Sequence, residues 1–287
     1  MSLMSKLLTS TLIATIVLSA ESTVTKTTGE QLQPTKKQLL KYIKRNIVKN
    51  PQVKVDGITI IEKTTFDKLP GWTVYLTNMD LTFQKKQIHV PETIFYKDGL
   101  LTGHLVNVKN GHDYRDDIKP TVPKSMYNDA HLLFGNKDAA HKVLVFSDPM
   151  CPFCQEVVPE IMKAAKAHPD KIALYYYHLP LLRIHPVSAT LTKIMHEAQK
   201  EGKTDVVEKM YTLKINPRET DPKKILPAVK KHTGYEISEE KLKEKALVDA
   251  MKADEEAAGK MMVSGTPTIY IDGKWDKMRD GYKKLIK

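Results

Sequence analysis

Cysteine is almost missing from this chain: 287 residues contain two, Cys151 and Cys154. That excludes a disulfide scaffold. It also leaves any zinc site two ligands short of the usual four unless histidines make up the set. Beyond the first twenty residues there is no second long apolar run, so the body of the chain is expected to be soluble. Tryptophan is scarce as well, and Trp72 and Trp275 read as core or domain-edge aromatics. Internal repeats and low-complexity tracts are missing. The formal charge is +11, from 45 basic and 34 acidic residues. Lys nevertheless alternates with Glu and Asp, as in EISEEKLKEKALVDAMKADEE. Such mixing marks solvated helix faces, and no nucleic-acid partner is expected. The surplus charge can still bias encounters with acidic partners or a membrane surface.

The one long apolar run opens the chain, in MSLMSKLLTSTLIATIVLSA. Lys6 precedes the run Leu7–Leu18, and Ser19 and Ala20 follow it, which is the layout of a cleaved secretory leader over residues 1–20. The run is shorter than the ~20 residues of a spanning helix. No cysteine follows it to carry a lipid. The expected location is therefore the periplasm, by export.

Two domains suit the remaining length. An N-terminal domain is expected over residues 21–110. Leu39, Leu40, Ile43 and Ile47 recur at helical spacing between Thr35 and Val48, and Pro51 closes the segment. The period then changes to that of strands. Trp72, Val74 and Leu76 alternate with Thr73, Tyr75 and Thr77, and Asp98-Gly99 signals a hairpin. Residues 52–108 thus read as an antiparallel sheet with a helix on one face, an α+β unit. It holds no cysteine and no acid–base constellation, so binding or dimerisation is its expected role. His89, His104 and His112 are scattered through this part of the chain and read as surface residues. Residues 111–137 read as a linker.

The second domain, 138–287, opens with the continuous apolar run KVLVFSD, a strand buried on both faces. CPFC follows at once, then a helical stripe from Val157 to Ala165 that Pro159 should kink, then the strand KIALYYYH. Strand, helix, strand is a βαβ unit with parallel pairing. A helical insertion fills 180–262, with helices near 187–200, 204–213, 222–232 and 238–262. GTPTIYIDG supplies a last strand with a turn at Asp272-Gly273.

The cysteine pair lies where a strand ends and a helix begins. Free N–H groups and the positive end of the helix dipole favour a thiolate on Cys151. Pro152 fits the first helical turn, where a missing N–H costs nothing. Three residues on, Cys154 returns to the same face and can attack a sulfur held on Cys151. A disulfide closing so short a loop stabilises little, and export supplies an oxidising compartment. A reactive pair is the better reading than a staple. His168, His178, His185 and His196 form no ligand-like pair with the cysteines, so no metal is assigned. His178 and His185, beyond the second strand, read as loop or capping residues.

VFSDPMCPFCQEVVP, followed far downstream by VSGTPTIYIDG, resembles the thioredoxin fold. The resemblance implies that Pro267 is a cis-proline facing the cysteines. It also implies that the backbone at Thr266 pairs with a bound substrate strand and that the Thr266 side chain sits near Cys151. The long helical insertion is similar to the Dsb proteins of the bacterial periplasm. The helix-and-sheet front half is similar to the DsbC/DsbG disulfide isomerases, whose cystatin-like N-terminal domains join two chains around a cleft. The likeness implies a homodimer that needs no cofactor beyond the redox-active Cys151–Cys154 pair. Its partners would be unfolded or misoxidised exported proteins and a membrane thiol reductase or oxidase. Pro152-Phe153 between the cysteines is nearest the Pro-Tyr of DsbG, and Phe153 has no hydroxyl to offer the thiolate. Oxidase and isomerase stay open at this point, as do a holdase chaperone and a metal-handling CxxC protein.

Overall fold

A computed structural model describes residues 33–287; the leader expected over 1–20 lies outside the described residues. Thr35 starts the first helix with a capping box. Its side chain accepts from the Gln38 N–H while its own N–H donates to Gln38 Oε1 at 2.8 Å. Helix α1 (Lys36–Tyr42) widens into a π-helical turn over Ile43–Ile47, so the helix expected from 35 to 48 fills its span with a looser last turn. Four strands follow: β1 (Lys54–Thr65), β2 (Thr73–Phe83), β3 (Lys86–Lys97) and β4 (Leu100–Thr102). They pair antiparallel in chain order.

Two-residue hairpins set the register here. Asp98 and Gly99 both have positive φ, 48° and 84°, the requirement of the tight turn that matches strand twist. Gln84 and Lys85 do the same at 49° and 64°, without a glycine or asparagine to announce it.

The sheet is covered on both faces, where the sequence suggested one. Tyr75, Met79, Leu81 and Ile94 pack under Leu39 and Ile43 of α1. Val74, Leu76 and Phe95, of opposite parity, pack against Ile118, Leu105, Tyr114 and Met262. The segment read as a linker therefore carries core residues, with Ile118, Val122 and Met126 all buried. It also carries ties to both halves. The Asp117 carboxylate takes Lys277 at 2.6 Å and Lys68 at 3.1 Å, and Glu62 accepts from the Thr121 N–H at 2.6 Å. Residues Pro34–Lys287 consequently form one compact unit.

The second sheet has the order β5-β7-β6-β8-β9. Its strands are β5 (Leu132–Phe134), β6 (His141–Ser147), β7 (Ile172–His178), β8 (Thr268–Ile271) and β9 (Lys274–Trp275). Strand β5 falls inside the expected linker because its pairing partner, β7, lies some forty residues on. Gly135 permits that approach: at φ 82°, a Cβ there would stand 1.8 Å from the Ile172 carbonyl oxygen. Strands β6 and β7 are parallel, joined by α2 (Pro152–Ala167), while β8 runs antiparallel to β6. All seven residues of β7 are buried, as a strand covered on both faces requires.

The insertion contains α3 (Ser188–Lys200), α4 (Thr204–Met210), α5 (Pro222–Thr233) and α6 (Lys245–Lys260), and α7 (Tyr282–Leu285) closes the chain. The helix expected over 238–262 is broken at Glu244, whose extended ψ of 133° separates a 3-10 turn from α6. Pro159, expected to kink the helix, lies inside α2, which runs through it from Pro152 to Ala167. Among the described residues no helix is long and apolar enough to cross a membrane.

Candidate active site

Strand β6 ends at Ser147, and the chain turns through Asp148–Met150 before α2 begins. Asp148 builds that turn. Its fully buried carboxylate accepts from the Met150 N–H at 2.8 Å, the Leu181 N–H at 2.8 Å, His185 Nδ1 at 3.0 Å and Ser188 Oγ at 2.6 Å. A carboxyl group so enclosed needs such a full set of donors. The result fixes the loop carrying Cys151 against the 181–188 segment. His185, read from sequence as a loop or capping residue, is one of the donors.

Cys151 is the residue before the first turn of α2, and Pro152 occupies the first helical position. Both cysteines are thiols, with Cys154 fully buried and Cys151 5% exposed. The Cys151 Sγ lies 3.4 Å from the Thr266 carbonyl oxygen. The peptide from Thr266 to Pro267 is cis, and both residues are buried. Cys151, Cys154 and Thr266–Pro267 thus converge across more than a hundred residues of sequence. Phe153 does not turn inward. It is 61% exposed, with the Arg279 guanidinium 5.8 Å from its ring centre.

The two thiols differ sharply in acidity. A hydrogen bond from the Cys154 thiol is the main cause that draws Cys151 down to about 5. Thr266 and the N–H groups of Cys154 and Phe153 assist against the cost of burial. Burial pushes Cys154 strongly the other way, and its hydrogen bond to Cys151 adds to the rise. Near neutral pH the site holds one thiolate at the start of a helix and one protonated thiol behind it. That is an arrangement for nucleophilic attack followed by internal resolution. The Thr266 hydroxyl is buried and makes no hydrogen bond to an oxygen or nitrogen, so its free donor can serve the sulfur.

Sequence reasoning missed what lies beneath Cys154. The Ser147 hydroxyl is a hydrogen-bond partner of its thiol. Tyr211 OH lies 2.6 Å from Ser147 Oγ and 2.6 Å from Tyr176 OH, all three side chains being buried. Tyr176 lies in the run YYY, and Tyr211 directly follows α4; neither carries a local signal that they meet. Likewise His178 is fully enclosed with neither ring nitrogen hydrogen-bonded, and burial lowers it to about 3. Its ring lies edge-on to Tyr176 and His196, away from the role of a loop histidine. Among the described residues no group of three or more His, Cys, Asp or Glu side chains is arranged to hold a metal ion.

Several known proteins resemble this chain. A probable disulfide bond formation protein D of Bacillus cereus is 23% identical over 168 residues, spanning 53% of this chain and 77% of that one. A Na+/H+ antiporter of Mycolicibacterium gilvum is 22% identical over 148 residues. That match takes in 50% of this chain and only 24% of the antiporter's length. Among solved structures, oxidised BdbD from Bacillus subtilis superposes with a TM-score of 0.46 at 19% identity, covering 59% of this chain and 97% of that one. Residues 127–287, more than half of the chain and the whole of the part that carries Cys151, Cys154 and Pro267, match the family described as Thioredoxin; the chain belongs to that family.

Proposed function

We propose that this protein is an exported thiol:disulfide oxidoreductase that isomerises or introduces disulfides in other exported proteins. The reading rests on the asymmetry of the cysteine pair: an acidified thiol at the start of α2 with a buried, protonated thiol behind it. In the reducing direction, the Cys151 thiolate attacks one sulfur of a substrate disulfide. A Cys151–substrate disulfide forms, and the other substrate sulfur leaves as a thiolate. Cys154, once deprotonated, then attacks Cys151 Sγ. The substrate departs reduced, and the two electrons it gained leave Cys151 and Cys154 joined. Oxidation of a substrate dithiol is the same sequence reversed. Isomerisation stops at the mixed disulfide and lets a different substrate thiol release the enzyme.

Cys154→Ser tests the core of this reading. The variant should accumulate a covalent adduct with a disulfide-containing protein, visible as a mass increase that dithiothreitol removes. No adduct, together with none in the parent protein, would end the proposal. The balance between oxidase and isomerase follows from the reduction potential. A Cys151 thiol at about 5 favours the reduced form, so a value from roughly −200 to −120 mV is expected.

Partners follow from the chemistry: unfolded or misoxidised exported chains as substrates, and a membrane thiol reductase or oxidase to reset the pair. We assign the N-terminal sheet to homodimer formation. Its edge strand β4 and the turn beyond it expose Leu100, Val106 and Val108, the last at 96%. Sedimentation giving only monomer would remove that assignment. Cleavage of the leader after export is checked by the N-terminal sequence of protein recovered from the periplasm.

A further inference from the structure

A cleft of about 590 Å³ is lined by Thr266 and Pro267, the loop whose Thr266 carbonyl lies 3.4 Å from Cys151 Sγ. One wall is the Ser264–Thr268 loop with Trp275 and Arg279. The other comes from the N-terminal half, from Pro91–Thr93 of β3 and the segment 115–119. Its charges nearly cancel in pairs. Glu92 accepts from the Thr93 N–H at 2.9 Å and faces Arg115 at 3.8 Å. Asp116 lies near Lys119, which also donates to the Met262 carbonyl at 2.6 Å. Arg279 is the remaining charge. Among the described residues its guanidinium meets no carboxylate and lies over the Phe153 ring, next in sequence but one to Cys151.

The backbone holds Arg279 in that place. It has φ 62°, a left-handed conformation uncommon for a residue with a side chain. Of the two acids nearest in the chain, Asp280 is exposed and forms no ion pair with Arg279, and Asp276 is occupied by backbone donors. It accepts from the Arg279 N–H at 3.2 Å and the Gly281 N–H at 2.8 Å. A turn that fixes an arginine over the ring beside the nucleophile, commits Asp276 to the backbone and points Asp280 to solvent without an ion pair leaves the cation free for a ligand.

Resting on the thiol-exchange reading above, we infer that Arg279 is a specificity-determining residue. It would receive a carboxylate carried by the peptide segment flanking the substrate cysteine. The N-terminal wall then confines that segment within the same chain, so substrates with Asp or Glu beside the reacting cysteine are preferred to those with Gln or Lys.

The test uses blocked peptides of one cysteine activated as its 2-pyridyl disulfide, with Glu, Gln or Lys adjacent. Cys151 attacks the peptide sulfur, the S–S bond to the pyridyl group breaks, and 2-thiopyridone leaves and is read by absorbance. Each rate is divided by that of the same peptide with dithiothreitol, which removes intrinsic reactivity. At low salt the Glu peptide should react about fivefold faster than the Gln peptide, the worth of one partly exposed ion pair. The Lys peptide should be slower than both, and added salt should shrink the spread. Arg279→Gln should level the three rates, and Arg279→Lys should retain the order. Equal rates in the parent protein, or a Glu preference that survives Arg279→Gln, would overturn the inference. Failure of every peptide, with Cys151 also inert to iodoacetamide, would instead remove the exchange reading on which it rests.

Discussion

The two sheets of this chain are assembled in opposite ways. In the N-terminal sheet every strand pairs with its neighbour in sequence. In the second sheet the central strand β6 lies between β7, reached through a helix, and β8, which arrives more than a hundred residues later. Local hairpins bring only nearby residues together, and the first sheet accordingly holds packing and little chemistry. The crossed order of the second places a strand end, a helix start and a distant loop at one point. Cys151 meets Thr266 there because β6 and β8 are adjacent. Function in this molecule is a product of non-local pairing.

The sharpest break of that comparison is a pair of substitutions, one in each sheet's domain. Cys151→Ser should lower exchange by at least about a thousandfold, since the attacking thiolate is gone, and leave the thermal midpoint nearly unmoved at pH 5, where the thiolate adds little stability. Ile94→Ala, in the buried core beneath α1, should do the reverse. It should cost about 2–5 kcal/mol of stability while the Cys151 alkylation profile stays in place. If Ile94→Ala shifted that profile, the two halves would be coupled more tightly than their separate cores suggest.

Acidity sharpens the comparison further. The iodoacetamide rate of Cys151 should rise through a midpoint near pH 5 and be flat above it, with Cys154 unlabelled in the native state. The same shift makes a stability statement for the reduced protein. A thiol held below its unfolded value stabilises the fold above the unfolded value of about 8.5, and that contribution is lost as pH falls towards 5. The oxidised protein has no such group. The gap between reduced and oxidised melting temperatures should therefore move in favour of the oxidised form between pH 8 and pH 5.

A smaller effect belongs to the hydroxyls behind Cys154. Tyr211→Phe removes the hydroxyl that links Ser147 to Tyr176. The thiolate of Cys154 then loses part of its support, and resolution of the mixed disulfide should shift to higher pH by up to about one unit, the scale of one neutral hydrogen bond. Tyr211 acts here as a positioning residue. Loss of stability with an unmoved pH profile would reduce it to a packing role.

These cases also show what the chain discloses before it folds. Strand length, the Asp98-Gly99 and Asp272-Gly273 turns, Pro152 after Cys151 and the Thr-Pro pair are all local patterns, and each can be read from a few residues. Gln84-Lys85 makes the same tight turn from residues without a turn preference, so the β2–β3 register was invisible. Strand β5 is three residues long and owes its existence to β7 and to Gly135. Asp148, Ser147, Tyr211 and Arg279 became visible only through contacts tens of residues apart or more. No periodicity encodes such contacts.

His178 gives the smallest predicted effect at neutral pH and the least expected sign. It ends β7 within the catalytic half, yet its ring is sealed among Tyr176 and His196 with both nitrogens unpartnered. A neutral imidazole keeps one donor and one acceptor, and enclosing both without partners costs free energy. An apolar side chain of similar size forfeits nothing polar there. His178→Leu should therefore be neutral or stabilising, by about 1 kcal/mol at pH 7 in denaturant titrations. It should also flatten the acid limb. His178 sits at about 3 against an unfolded value near 6.5. The unfolded chain thus binds the extra proton between those values, and stability falls as pH drops through that window. A variant that is destabilised at pH 7, with an unchanged acid limb, would mean that the imidazole is held by a partner such as a buried water. The second sheet would then contain a polar site as specific as the one at its cysteines.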